Sequence, residues 1–300
     1  MHASVILNAA AGTTAQAEAD SILPAVKAAL TAAGIEGPVE VVPPTDFIRR
    51  LTTLVATHPE TVIVGGGDGT IRSAAEILAG TGIRLGVLPL GTLNHFAKDL
   101  GLPADWRQAI PALANASDAE VDLGEVNDRV FLNNCSIGAY AETVRRRDVL
   151  RRRESLGKWR AMFHAGLETF RRFPNFRLRI ERDGVTRFVL TPLLVVGNNR
   201  YSGHVLDSSL RPRLDEGRLF IYSAHVHRHL AFLRLALQAL IRGLDGAEAL
   251  DTADATAFTI ASESGKLPVA LDGEAMEFRD PLVFRIRPKS LRVLLPLNPK

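Results

Sequence analysis

Residues 61–70 read T-V-I-V-G-G-G-D-G-T. A run of β-branched apolar residues stops at consecutive glycines, a lone carboxylate, another glycine and a hydroxyl. An uninterrupted Val/Ile strand is apolar toward both faces, so it belongs to a sheet covered on both sides. Glycine weakens strands and helices, and such a density of it costs stability unless bare backbone must approach something closely. Strand, glycine turn and helix together aim unpaired N–H groups at an anion, with the helix dipole adding to the attraction. The spelling is neither G-x-x-x-x-G-K-[ST] nor G-x-G-x-x-G, so the P-loop and the dinucleotide fingerprint are both excluded.

The surrounding pattern agrees. Apolar runs at 4–8, 39–42, 61–64 and 84–88 alternate with helical spacing at 18–33, 47–57, 71–78 and 93–100. This predicts an α/β N-terminal domain with a mostly parallel sheet. From residue 121 the rhythm changes. Strand patterns at 120–126, 130–137, 176–181, 187–196, 219–222, 257–260, 268–271, 282–286 and 291–295 are interrupted by helical spacing only at 158–172 and 229–242. With turn signals at Arg182-Asp183-Gly184 and Asp272-Gly273, this predicts a mainly antiparallel β-sandwich C-terminal domain. The expected boundaries are 1–120 for a nucleotide-binding domain and 121–289 for a β-rich substrate domain. A cleft between two such domains is the default place for a site.

Composition removes several classes of function. The 300 residues are 46% hydrophobic, enough for a substantial core, and the net charge of +3 makes no whole-protein case for nucleic acid. A single cysteine, Cys135, excludes an internal disulfide framework and fits a reducing, cytoplasmic setting. The first residues carry no charged n-region, and no segment has the apolar length to span a bilayer. Residues 145–172 nevertheless hold ten Lys/Arg against three acids. Their helical spacing suggests either a solvated helix packed by its apolar stripe or a peripheral contact with an anionic membrane surface.

A second glycine turn follows the next strand, in Pro89-Leu90-Gly91-Thr92-Leu93-Asn94-His95-Phe96-Ala97. Carboxyl ends of neighbouring strands are where open α/β sheets bind ligands. Together, G-G-D-G-T and P-L-G-T-x-N-x-F-A resemble the diacylglycerol kinase catalytic domain family, including its bacterial soluble lipid kinases. Further pieces follow in order: Asn8-Ala9-Ala10-Ala11-Gly12, Asn133-Asn134-Cys135-Ser136-Ile137-Gly138, Leu214-Asp215-Glu216-Gly217, and Leu271-Asp272-Gly273-Glu274.

The resemblance implies a lipid kinase that uses ATP and Mg²⁺. It implies that Gly66, Gly67, Asp68, Gly69 and Thr70 hold the triphosphate, with Gly91, Thr92 and Asn94 approaching from the second turn and Asn8 lining the same place. Asp68 would engage Mg²⁺, directly or through water, or orient the acceptor hydroxyl. Glu274 maps onto the family's general base. Asp272, two residues away, would share its face if the segment is extended, helping to coordinate metal or to raise the pKa of Glu274. A structural Mg²⁺ would sit on the carboxylate of Glu216 and the carbonyls of Arg213 and Arg218. The last strand would return to the first domain's sheet, so that 290–300 complete it.

The chain departs from the family's pattern at Ile71-Arg72-Ser73, where x-N-E is usual, at His95, where Asp is usual, and at Val42-Pro43, where a nucleotide-contacting threonine is absent. The leading expectation is phosphoryl transfer from ATP to a hydroxyl of a diacylglycerol-like lipid by a cytoplasmic, peripherally membrane-associated enzyme. The alternatives are a soluble kinase in the style of NAD kinase and a catalytically decayed nucleotide- or lipid-binding regulator. Monomer and homodimer both stay open.

Overall fold

The computed structural model describes residues 1–9, 16–154, 164, 166, 168, 175–201, 211–224, 226, 250–263, 265 and 267–297. The chain divides into two compact units, one formed by residues 1–122 with 289–300 and the other by 123–288.

The first unit alternates β1 (Ser4–Asn8), α1 (Gln16–Ala32), β2 (Val39–Val42), α2 (Phe47–Val55), β3 (Thr61–Gly66), α3 (Asp68–Leu78), β4 (Arg84–Pro89), α4 (His95–Asp99) and α5 (Trp106–Ala114). β1 pairs in parallel with both β2 and β3, and β3 with β4, giving the order β2-β1-β3-β4. Every residue of β3 is buried, as its unbroken apolar run requires. The order reverses at β1 and β3, so the carboxyl ends of these two strands flank the switch point where such sheets take ligands. α3 covers the sheet with Ile71, Ala74, Ala75 and Leu78, and α2 buries Phe47 and Leu51 and packs against α3.

Two strands take part in both units. β5 (Ala116–Val126) crosses the boundary near its middle. β16 (Leu282–Pro296) begins in the second unit, and its later part places Val293 opposite Leu85 of β4 in parallel.

The second unit holds β6 (Arg129–Phe131), β7 (Asn134–Gly138), α6 (Ala139–Glu154), β8 (Phe176–Arg182), β9 (Val185–Thr191), β10 (Leu193–Asn198), β11 (Leu219–Ala224), β12 (Leu250–Ala255), β13 (Ala257–Ser262), β14 (Val269–Leu271) and β15 (Glu274–Met276). One antiparallel sheet runs β12-β11-β10-β7-β14-β15, and another set runs β16-β13-β8-β9. Their inner faces share one core, in which Cys135, Ile137, Leu194, Val196 and Ile221 meet Leu178, Phe258, Ile260 and Phe284. The rings of Phe258 and Phe284 stack at 4.8 Å. The fold class is thus the expected one, an α/β unit and an antiparallel sandwich.

Several elements differ from expectation. The run 130–137 is two strands, because residues 132 and 133 leave the ladder, and 187–196 is two strands of different sheets, broken at Pro192, which has no N–H to donate. Conversely, 282–286 and 291–295 join into one strand, with Lys289 in a left-handed conformation between them (φ 47°). Helix α3 starts at Asp68, inside the glycine turn. Helices α5 and α6 and strands β12 and β15 carried too little periodicity to be read. The helical pattern at 229–242 lies outside the described residues, as does most of 158–172.

Candidate active site

β3 and β4 run in register, with Val64 opposite Val87 and Gly66 opposite Pro89, so both glycine turns leave the sheet at one level. The turns touch. A Cβ on Gly91 would lie 2.5 Å from the Cα of Gly67 and 2.6 Å from Asn94 Oδ1. A Cβ on Gly66 would lie 2.5 Å from the Thr70 side chain, and one on Gly65 would meet Leu7 at 2.4 Å. At Gly91 glycine is therefore required by the close approach of the Gly67 main chain, and at Gly66 and Gly65 by packed side chains. Gly91→Ala should destabilise the protein by about 1–3 kcal/mol, as overpacking does, read as a lower urea midpoint.

Each polar side chain at these strand ends has an identifiable task. Asn8 Nδ2, at the end of β1, donates to Thr70 Oγ1 at 2.9 Å, which ties the ends of β1 and β3 together and leaves the Thr70 hydroxyl its own hydrogen to give. Asp68 Oδ1 accepts the His95 main-chain N–H at 2.7 Å, so one carboxylate spans both turns. Its Oδ2 takes no hydrogen bond from a described residue, which suits one carboxylate of a water-rich Mg²⁺ shell. The first N–H groups of α3 have no partner within the helix. Thr92 is exposed. Asn94 differs from expectation. Left-handed (φ 49°) and buried, it accepts from Gly91 N and donates to Gly91 O, both at 2.9 Å, so its side chain closes the turn rather than facing a nucleotide.

The D-G-E segment is a tight hairpin. Leu271 pairs with Glu274 across Asp272 (φ 46°) and Gly273 (φ 79°), a two-residue turn with both central residues left-handed, as Asp-Gly favours. The segment is not extended at Asp272, so the expected shared face with Glu274 does not form. Asp272 instead accepts the N–H groups of Leu132 (2.8 Å), Asn133 (2.8 Å) and Asn134 (3.0 Å). Glu274 is exposed on β15. The Cys135 thiol beneath is pushed far above its usual range, first by burial and then by the Asp272 charge.

The Glu216 turn is closed by hydrogen bonds. Glu216 Oε2 accepts the Arg200 N–H at 3.1 Å, the Arg218 carbonyl accepts the Asn199 N–H at 3.1 Å, and Asp215 pairs with Arg213 at 3.2 Å. The Glu216 oxygen and the Arg218 carbonyl are thus already bonded, and no group of three or more His, Cys, Asp or Glu among the described residues could hold a metal. Magnesium requires a near-octahedral set of oxygens, and Arg213, Glu216 and Arg218 would offer it one carboxylate and two carbonyls, with one Glu216 oxygen and the Arg218 carbonyl each already accepting a hydrogen bond. The Asp272 carboxylate likewise already accepts its three N–H groups.

A family model described as "Diacylglycerol kinase catalytic domain" matches residues 2–126. A "Probable lipid kinase YegS-like" of Pseudomonas aeruginosa is 33% identical over 255 residues, covering 84% of this chain and 82% of the relative. The chain belongs to the diacylglycerol kinase catalytic-domain family. A similarly named protein of Pseudomonas putida is 28% identical over 253 residues, 84% of this chain and 82% of its own length. Among solved structures, a diacylglycerol kinase from Bacillus anthracis shares the fold with a TM-score of 0.75 at 23% identity, covering 98% of this chain and 97% of that chain.

Against the diacylglycerol kinase pattern, Arg72 is a buried residue of α3 that pairs with Glu76 at 3.7 Å. His95 contributes its main-chain N–H, and its side chain is exposed. Sequence reasoning missed the groups packed on the D-G-E hairpin. Arg147 of α6 donates to the Gly273 carbonyl at 3.3 Å and pairs with Asp148 at 2.7 Å. Tyr140, from the same helix, has its phenol pushed up by burial, with the Arg147 charge opposing. Arg211, nearly fully buried, is the largest omission. No local pattern separates these arginines from the solvated ones around them.

Proposed function

We propose that the protein is a lipid kinase that transfers the γ-phosphoryl group of ATP to a hydroxyl of a diacylglycerol-like lipid. The observation that carries this reading is the junction of Gly67 with Gly91, spanned by Asp68, at the carboxyl ends of β3 and β4. Main-chain N–H groups of the turn and of the start of α3 bind the phosphates, as helix N-termini bind anions. Mg²⁺, carried with the nucleotide, would neutralise charge on the β- and γ-phosphates, and Asp68 is the residue that would hold it. Thr70 donates its hydroxyl and Asn8 fixes that hydroxyl in place. The acceptor oxygen forms the new P–O bond as the bond from γ-phosphorus to its bridging oxygen breaks. Glu274 takes the acceptor proton, and ADP leaves. The proton comes off late in a loose transition state, so an exposed carboxylate within reach of the hydroxyl is adequate.

The test is incubation of the protein with γ-labelled ATP, Mg²⁺ and a mixed lipid extract. Label in a lipid product identifiable as a phosphatidate-like species supports the reading. Label only in a water-soluble product would overturn it in favour of an NAD-kinase-like activity, and nucleotide binding without transfer would favour a regulator.

No helix among the described residues is long and apolar enough to cross a membrane. We propose that the enzyme reaches its lipid from an anionic surface through the basic segment 145–172. Arg145 and Arg146 pair with Glu142, Arg146 also with Glu168, and Arg147 with Asp148. The contact therefore relies on charges further along, of which Arg151, Arg152 and Arg153 form the nearest cluster. Each contributes on the order of 1 kcal/mol near an anionic leaflet. Replacing all three by Glu should release the protein from anionic vesicles in low-salt sedimentation. Unchanged sedimentation would assign the contact elsewhere.

A further inference from the structure

We propose that Arg211 is a positioning residue for Glu274, acting through the main chain of residues 132–134 and through Asp272, and that Asp272 anchors this assembly instead of binding magnesium. The inference rests on the reading of Glu274 as the base.

The segment linking β6 to β7 leaves its ladder for two residues and meets opposite charges on its two sides. Asp272 takes the N–H groups of Leu132, Asn133 and Asn134, while its own N–H is accepted by the Asn134 carbonyl at 2.9 Å. From the other side, Arg211 donates to the Leu132 carbonyl at 2.6 Å, to the Asn198 carbonyl at 2.9 Å and to Asn133 Oδ1 at 2.8 Å. Asn198 adds its N–H to the Asn133 carbonyl and its Nδ2 to the Leu132 carbonyl, both at 2.9 Å. Leu132 thus has its N–H on a carboxylate and its carbonyl on a guanidinium, an arrangement in which each bond polarises the next.

A guanidinium held at 1% exposure is expensive to place unless its donors are satisfied. Here its fork grips carbonyls on two strand ends at once, β7's lead-in and the end of β10, and its Cζ lies 6.0 Å from the centroid of the Tyr201 ring. Tyr201 in turn accepts from Asn134 Nδ2 at 3.0 Å. The assembly ends at the Asp272-Gly273 turn, one residue before Glu274. Because Asp272 is left-handed and its carboxylate is clamped, the direction in which the hairpin delivers Glu274 is set by the 132–134 amides. A metal at Asp272 would have to compete with those three N–H donors.

The experiment compares Arg211→Lys, Arg211→Met, Asn133→Ala and Asp272→Asn with Glu274→Gln, using γ-labelled ATP, a lipid extract in mixed micelles and amide hydrogen exchange of the free protein. The expected result is a kcat lowered on the order of 10²-fold in Arg211→Met and Asp272→Asn, as misplacement of a reacting group produces. KM for Mg-ATP and the Mg²⁺ concentration for half-maximal rate should stay unchanged, and exchange should speed up at 132–134 and at the 271–276 hairpin. Arg211→Lys, which still donates to carbonyls, should recover part of the rate. If Arg211→Met does not fold, Asn133→Ala decides, since it removes one acceptor and leaves the arginine seated. Normal kcat and normal exchange in Asn133→Ala and Arg211→Lys would overturn the inference. So would an Asp272→Asn variant that needs far more Mg²⁺ while its exchange is unchanged, because that is the signature of a metal ligand. Full activity of Glu274→Gln would instead overturn the reading of the base.

Discussion

Glu274→Gln should leave a folded, nucleotide-binding protein whose lipid phosphorylation is lower by on the order of 10²–10⁴-fold, the range general-base catalysis supplies. The substitution keeps size and shape. The hairpin register of Leu271 with Glu274 does not depend on the side-chain charge, and the Asp272 clamp on 132–134 is untouched. What disappears is the ability to accept a proton. Calorimetry should therefore show ATP binding close to that of the wild type, while labelled lipid falls to the background of the assay. Retained transfer at more than about a tenth of the wild-type rate would mean that another group, or water, takes the proton.

The second large effect is expected at Asp68. In Asp68→Asn the amide oxygen can still accept the His95 N–H, so the link between the two glycine turns is kept while the negative charge is lost. Removing a charge that would hold Mg²⁺ against the phosphates should lower kcat/KM for Mg-ATP on the order of 10²–10³-fold. The Mg²⁺ concentration for half-maximal rate should rise. Asp68→Ala should add a stability loss of about 1 kcal/mol, because the His95 N–H loses its acceptor. If Asn and Ala variants both keep normal Mg²⁺ dependence, Asp68 is a turn-closing carboxylate only. Comparing the two variants separates the electrostatic role from the scaffolding role at one position.

What the sequence made legible, and what it hid, follows from the range of the interactions involved. β3, β4 and their turns were readable because strand, glycine and helix follow one another locally, and unbroken Val/Ile runs admit few alternatives. That Asn8 lines the same place as the glycine turn came from family resemblance alone; its hydrogen bond to Thr70 at 2.9 Å left no mark in the sequence. The Asp-Gly turn was readable as a hairpin, yet the expectation that Asp272 and Glu274 share a face treated the turn as strand. The dipeptide's left-handed preference rules that out. Helix α5 was hidden by Pro111 within it, and α6 by an arginine-rich sequence with little apolar periodicity. The break at Pro192 carried a visible signal that the apolar run around it masked. Arg211 had none, since its carbonyl acceptors at Leu132 and Asn198 are far away along the chain and main-chain oxygens leave no mark in a sequence.

β16 has a consequence for how the molecule is made. Leu282, Phe284 and Ile286 fill the sandwich, whereas Leu291, Val293 and Leu294 are buried beyond the point where the strand changes units. During synthesis, the α/β unit has all its other strands once residue 122 has emerged, but must wait for 166 further residues before its last strand arrives. The ribosome therefore delivers the two halves with their closing piece in common. The second unit has all its residues once 288 is made, and the first is completed only by the remainder of the same strand, so the two glycine turns acquire their finished support after the 271–276 hairpin has been synthesised.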